Sequence, residues 1–151
     1  MGGLYIHIPF CRQACRYCDF FFSVSLQYLD PFVDALVEEI RQKGEANPGQ
    51  LLDTFYLGGG TPSVLTSSHI EKNVEAIHRH YTFREIPEWT VECNPDDLDI
   101  SMVKKLRHLG FNRLSIGIQS FHDRDLHTMR RSHNAEQAER SVKMAASSGF
   151  D

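Results

Sequence analysis

Three cysteines, Cys11, Cys15 and Cys18, fall within eight residues in the run Cys11-Arg12-Gln13-Ala14-Cys15-Arg16-Tyr17-Cys18, and the fourth, Cys93, is remote. Thiolates are soft ligands that select zinc or iron–sulfur clusters over magnesium or calcium. A cluster held wholly by protein normally uses four cysteines, so three leave one iron open to a small molecule. Zinc asks for a fourth ligand, for which His7 and Cys93 are the local candidates. A disulfide beside a free thiol, or a loop of buried cysteines, also fits the bare spacing. The run Met1-Gly2-Gly3-Leu4-Tyr5-Ile6-His7 lacks a signal peptide's basic region and cleavage site. The chain is therefore expected in the cytoplasm, where clustered cysteines point to metal or redox chemistry.

Two further stretches carry chemistry. Gly58-Gly59-Gly60-Thr61-Pro62 allows backbone to approach a ligand closely, and the absence of a following Gly-Lys-Ser/Thr excludes a phosphate-gripping P-loop. Glu92 is a carboxylate at the end of an apolar run; buried there, it needs a hydrogen-bonding partner such as a hydroxyl or an ammonium. Arg12 and Arg16 read as solvated loop residues and Cys93 as a small buried hydrophobe. His69, His78, His80 and His108 read as solvated helix positions. His122, His127 and His133 read first as surface histidines and only secondarily as haem ligands.

The elements that must position these residues alternate along the chain. Leu4–Pro9, Thr54–Leu57, Glu88–Cys93 and Arg113–Ile118 read as strands. Asp30 and Pro31 open a helix whose apolar face is Phe32, Val33, Leu36, Val37 and Ile40. Ser68 and Glu71 form a capping-box pattern before Ile70, Val74, Ile77 and Tyr81. Asp99–Leu109 is a third helix stopped by Gly110, Asp123–Met129 a short helical turn, and Asn134–Ser148 a fourth helix stopped by Gly149. About four βα units predict an α/β fold with a parallel sheet. Leu109-Gly110-Phe111-Asn112 is echoed by Ser148-Gly149-Phe150-Asp151, so a fifth strand is expected next. Residues 1–151 are thus expected to be the N-terminal part of a longer, TIM-type barrel domain. Strand alternation sends Leu114, Ile116 and Ile118 to the helices, and Tyr5, His7, Glu92 and Gln119 into one cavity.

CxxxCxxC directly after the first strand resembles the loop of the radical S-adenosylmethionine superfamily. Tyr5-Ile6-His7-Ile8-Pro9-Phe10-Cys11, Gly58–Ser63, Glu92-Cys93-Asn94-Pro95 and Arg113–Phe121 narrow the resemblance to the oxygen-independent coproporphyrinogen III oxidase-like family. The resemblance implies a 4Fe–4S cluster on Cys11, Cys15 and Cys18, with S-adenosyl-L-methionine chelating the open iron and cleaved to a 5′-deoxyadenosyl radical. It implies cofactor contacts at Tyr5, Tyr17, Gly59, Gly60, Thr61, Glu92, Gln119 and Arg131. In the oxidase, Gln119 and Arg131 match positions that serve a second S-adenosylmethionine. The oxidase carries another cysteine two residues past the third ligand, whereas Cys18 is followed here by Asp19-Phe20-Phe21. That ending resembles the haem-chaperone branch, which implies haem or porphyrin, an electron-donor protein and a haem-receiving protein as partners. A zinc-stabilised, non-enzymatic binding module is the alternative from another class.

Composition narrows the field further. The net charge is −4 with both signs mixed along the chain, which argues against a nucleic-acid binder or a membrane-surface protein. No run of about 18 apolar residues occurs.

Overall fold

The computed structural model describes residues 2–151, apart from the side chain of Ile86; Met1, which opens the N-terminal run read above, lies outside them. Four strands, β1 (Gly3–Ile8), β2 (Leu51–Gly59), β3 (Thr82–Cys93) and β4 (Arg113–Ile116), form one sheet in chain order, every neighbouring pair parallel. The helices are α1 (Leu29–Ala46), α2 (Ser67–His80), α3 (Ile100–His108), α4 (Asp123–Met129) and α5 (Ala135–Ser147). The chain is thus an α/β structure of four βα units, one arc of a TIM-type barrel.

One sheet face meets the helices. Ile6 and Ile8, Phe55 and Leu57, and Val91 and Cys93 alternate inward along their strands. They pack with Val33, Leu36 and Ile40 of α1, Ile70, Val74 and Ile77 of α2, and Val103 and Leu106 of α3. At the base of the sheet the rings of Phe55, Trp89 and Phe111 meet at 5.1–5.8 Å. In β2 the buried residues Leu52, Phe55 and Leu57 are spaced three and then two apart. The pairing with β3 shifts register between Leu52 and Thr54, where two steps along β2 face five along β3, so the surplus residues lie in β3.

Several boundaries differ from those read in the sequence. β2 and β3 begin earlier, at Leu51 and Thr82, because the sheet pairs beyond the strongest β-formers. A 3-10 turn at Leu26–Tyr28 leads directly into α1, so Asp30 lies inside the first turn, where its carboxylate meets Nε2 of His69 at 2.8 Å. Thr66, not Ser68, caps α2, accepting from the backbone N–H of His69 at 3.2 Å. Asp99 caps α3, and Asn134 with Gln137 forms a reciprocal capping box on α5, at the two helix starts expected from the sequence. β4 stops at Ile116, two residues early. Beyond it, Asp151 lies against β4: its N–H donates to the Asn112 carbonyl and its own carbonyl accepts from the Leu114 N–H, both at 3.1 Å. Among the described residues no helix is long and apolar enough to cross a membrane.

Candidate metal and cofactor site

The cysteine loop leaves β1 and is closed at its base like a clasp. Cys11 N–H donates to the Ser23 carbonyl at 2.9 Å, and Ser23 N–H to the Pro9 carbonyl at 2.8 Å. Within the loop, Cys18 N–H turns back to the Cys15 carbonyl at 3.3 Å. The outer side is tied to the end of α4, where Arg16 N–H reaches the Met129 carbonyl at 3.1 Å and the Gln13 amide reaches the Arg130 carbonyl at 2.9 Å. Cys11, Cys15 and Cys18 all line one cavity of about 240 Å³.

The glycine turn forms the facing wall. Gly60 N–H donates to the Ile8 carbonyl and Thr61 N–H to the Phe10 carbonyl, both at 2.8 Å, so the exits of β1 and β2 run side by side. Gly59 has φ +120, and a Cβ there would sit 2.8 Å from the Ile8 backbone. At Gly60 a Cβ would lie 2.9 Å from Cys11 Sγ and 2.8 Å from the Phe10 carbonyl. Lack of side chains is what brings this turn against the cysteine loop. The Thr61 hydroxyl donates to Cys11 Sγ at 3.3 Å, while burial, the largest influence, raises the Cys11 thiol pKa.

Glu92 reaches the cavity from β3. Its carboxylate accepts from the Tyr56 hydroxyl at 2.6 Å and from Gly59 N–H at 3.0 Å, which answers the cost of half-burying a charge. Burial and then the bond to Glu92 raise the Tyr56 pKa. Sequence reasoning passed over Tyr56, although alternation with Phe55 and Leu57 puts it on the cavity side, in register with Tyr5. Tyr5 and His7 share that sheet face, with the Tyr5 hydroxyl 2.8 Å from His7 Nδ1. Neither lines the cavity; the Tyr5 ring lies 6.0 Å from that of Tyr56, the residue that bonds Glu92.

The exit of β4 supplies Ser115, Gly117 and Gln119. Gln119 lies on the cavity wall, as expected, but alternation does not carry it there. The strand has ended, and a left-handed backbone (φ 67) at Gln119 itself redirects the chain. Arg131 reaches in from beyond α4. Its Nη1 donates to Cys15 Sγ at 3.3 Å and to the Tyr17 hydroxyl at 3.2 Å; its Nη2 donates to Asn94 Oδ1 at 2.7 Å and the Gly117 carbonyl at 2.6 Å.

Arg12 is half exposed, as the loop reading expected, and is also tied down. Its Nε pairs at 2.7 Å with Asp97, whose side chain is 3% exposed. The second Asp97 oxygen accepts from the Ser63 hydroxyl at 2.7 Å, and that hydroxyl oxygen accepts from Asn94 N–H at 3.0 Å. An internal carboxylate thereby fastens the cysteine loop to the ends of β2 and β3, a link that no local pattern reveals. Two histidines depart from the solvated reading. His133 is buried with Nε2 2.9 Å from the Ile118 carbonyl, and burial lowers its pKa. His69 is held by Asp30. His127 borders an adjoining groove with Arg16 and Arg130 and does not line the cavity itself. Cys93 belongs to the hydrophobic core, and burial raises its thiol pKa strongly.

These residues fit an iron–sulfur cluster and its ligand. Three thiols share one cavity, the Gly60 cradle is too close for any Cβ, and Glu92 presents a carboxylate across from them. Among the described residues, no three His, Cys, Asp or Glu side chains are close enough to share a single ion. A zinc site, with Zn–S bonds of about 2.3 Å, would need the thiols to close on one point.

Known proteins share both sequence and fold. The heme chaperone HemW of Lactococcus lactis is 38% identical over 151 residues, covering 99% of this chain and 39% of that protein. HemW of Bacillus subtilis is 36% identical, covering 100% and 40%. The oxygen-independent coproporphyrinogen III oxidase of Escherichia coli is 33% identical over 79% of this chain and 26% of the oxidase. The solved structure of coproporphyrinogen III oxidase (HemN) from Escherichia coli, described as a radical SAM enzyme, superposes with a TM-score of 0.92 at 30% identity, covering 98% of this chain and 35% of that one. Methylornithine synthase (PylB), at 12% identity and a TM-score of 0.64, shares the fold. The chain spans about two fifths of the length of the HemW relatives it matches. With the Radical SAM superfamily model matching residues 5–151, the chain belongs to that superfamily.

Proposed function

We propose that this chain binds a 4Fe–4S cluster through Cys11, Cys15 and Cys18 and S-adenosylmethionine in the adjoining cavity, and that it serves haem metabolism as a haem chaperone. The observation that carries the reading is the convergence of three thiols, the Gly59–Thr61 turn and Glu92 on one cavity. When bound, the cluster supplies the electron that cleaves S-adenosylmethionine reductively. The protein's share is binding, orientation and exclusion of water. Glu92, set by Tyr56 and Gly59, offers a fixed acceptor to ribose hydroxyls or an ammonium. Gly59, Gly60 and Thr61 offer backbone at close range, Tyr17 and Gln119 add polar wall, and Tyr5 packs near Tyr56 on the same sheet face.

Haem as the cargo is supported by the names of the HemW relatives. It is also supported by Phe20, on the cavity wall and 73% exposed, and Phe21, 85% exposed, an apolar surface suited to a flat macrocycle. An electron-donor protein and a haem-receiving protein are the partners this role calls for. The second reading, oxidation of coproporphyrinogen, is favoured by the likeness to the Escherichia coli oxidase. It is opposed by Asp19-Phe20-Phe21, where the oxidase carries its additional cysteine.

Anaerobic reconstitution followed by EPR of the reduced protein tests the proposal. The expected result is a 4Fe–4S signal that changes on adding S-adenosylmethionine and is lost in Cys15→Ala, together with saturable haem binding. Stoichiometric zinc without a cluster in the folded protein would overturn it. Decarboxylation of coproporphyrinogen by the loaded protein would favour the second reading.

A further inference from the structure

The exits of three strands meet on one internal carboxylate, Asp97, which stands outside the cofactor cavity. Asp97 closes the 3-10 turn Pro95–Asp97 that follows β3, and its N–H donates to the Asn94 carbonyl at 3.1 Å. The next residue, Leu98, is buried in the core, so the Asp97 backbone is held from both sides. Both carboxylate oxygens are used, Oδ1 by Arg12 Nε and Oδ2 by the Ser63 hydroxyl, each at 2.7 Å. Ser63 is buried in the 3-10 turn Pro62–Val64 after the glycine stretch, and its oxygen also accepts from Asn94 N–H. The Ser63 half of this network joins the exit of β2 to that of β3. The Arg12 half reaches the residue next to Cys11 and ties the cysteine loop to that frame. An ion pair between two exposed groups contributes little. Here one partner is buried, and a charge-assisted bond to a buried carboxylate is strong and directional.

We propose that Asp97 is a positioning residue for the iron–sulfur cluster: through Arg12 it presets the cysteine loop, and its loss weakens the hold on iron more than the fold. The role rests on the cluster proposed above. A short loop loses conformational freedom when three of its thiols close on a cluster. A loop already held in place loses less, so the cluster is taken up and kept more readily. Supporting groups outside the ligand set commonly change metal affinity by about 10–100-fold. Arg12 is joined to Cys11 by a single planar peptide bond, so a shift of Arg12 is passed directly to the first ligand. Neither Arg12 nor Asp97 lines the cavity, so their bond does not compete with cluster or ligand.

The test is iron release from the intact, anaerobically reconstituted protein to the chelator bathophenanthroline disulfonate, with urea unfolding of the cluster-free variants measured in parallel. Asp97→Asn and Arg12→Ala are each expected to release iron about tenfold faster than the parent. Arg12→Lys, which keeps the charge, should fall between Arg12→Ala and the parent. The double variant Arg12→Ala/Asp97→Asn should be no faster than the faster single variant, because both changes cut the same link. A parental release rate in folded Asp97→Asn or Arg12→Ala overturns the proposal, as do effects that multiply in the double variant. A lowered urea midpoint in Asp97→Asn with parental iron release also overturns it, and leaves the carboxylate to Ser63 and the fold alone. If a single variant folds poorly, the double variant decides, since it buries no unpaired charge and keeps an amide oxygen for Ser63. A parental release rate there overturns the proposal equally. Failure of the parent protein to take up a cluster would strike the cluster reading itself, and this role with it.

Discussion

Gly60 shows how tightly the site depends on single atoms. Any larger residue places its Cβ 2.8 Å from the Phe10 carbonyl, which is backbone, and 2.9 Å from the buried Cys11 Sγ. Overpacking of this kind costs about 1–3 kcal/mol, and here the displaced group is a cluster ligand. Gly60→Ala is therefore expected to keep the far-UV circular dichroism of the parent while binding markedly less iron after reconstitution. An unchanged iron content would show that the loop yields freely. Glu92 works in the opposite sense, since its two internal bonds hold it before any ligand arrives. A preset acceptor of this kind spares the ligand the ordering cost of fixing the side chain.

Among the elements, the caps and exits decide where the chemistry stands. Asp99 starts α3 by accepting from Met102 N–H at 2.7 Å, and that bond is the main cause of its lowered pKa. A depressed carboxylate contributes stability above its unfolded value, about 3.9, and loses it as pH falls through the lower folded value. Asp99→Ala should cost about 1 kcal/mol at neutral pH. The gap between parent and variant should narrow below about pH 4, as read from urea unfolding midpoints. A gap that stays constant into acid would mean that the carboxylate charge is not what caps the helix. The exit of β4 follows another rule. The strand ends at Ile116 and leaves by Gly117 and the left-handed Gln119, so its last polar residue is aimed by a turn.

At the scale of the molecule, the sheet has two unlike faces. The helix side holds the core, and the other carries Tyr5, His7 and Tyr56 beside Glu92 and Ser115, which line the cavity. Phe55, 1% exposed and in contact with both Trp89 and Phe111, stands at the base of that core, remote from the cysteine loop along the strands. Phe55→Ala should destabilise by about 3–5 kcal/mol, a large share of the roughly 5–15 kcal/mol that holds a domain together. A thermal or urea melt measures this directly. A loss below about 1 kcal/mol would mean that the aromatic base repacks around the cavity left behind.

The sequence by itself determined the order of strands and helices, the parallel sheet, the starts of α3 and α5 at Asp99 and Asn134, and the loop that carries three thiols. Those features follow from short-range rules: alternation along a strand, the three-to-four-residue rise of a helix face, and a side chain bonding a backbone N–H three residues on. Where a local rule met a stronger tertiary demand, it gave way. A 3-10 turn fixed the start of α1, and sheet pairing lengthened β2 and β3. The partners within the site were decided by the tertiary structure alone. Arg12 finds Asp97 85 residues away, Glu92 finds Tyr56 across 36, and Arg131 reaches Cys15 across 116. No periodicity spans such separations. They close because parallel βα units bring every strand's carboxyl end to the same rim, where polar groups must satisfy one another or stay wet.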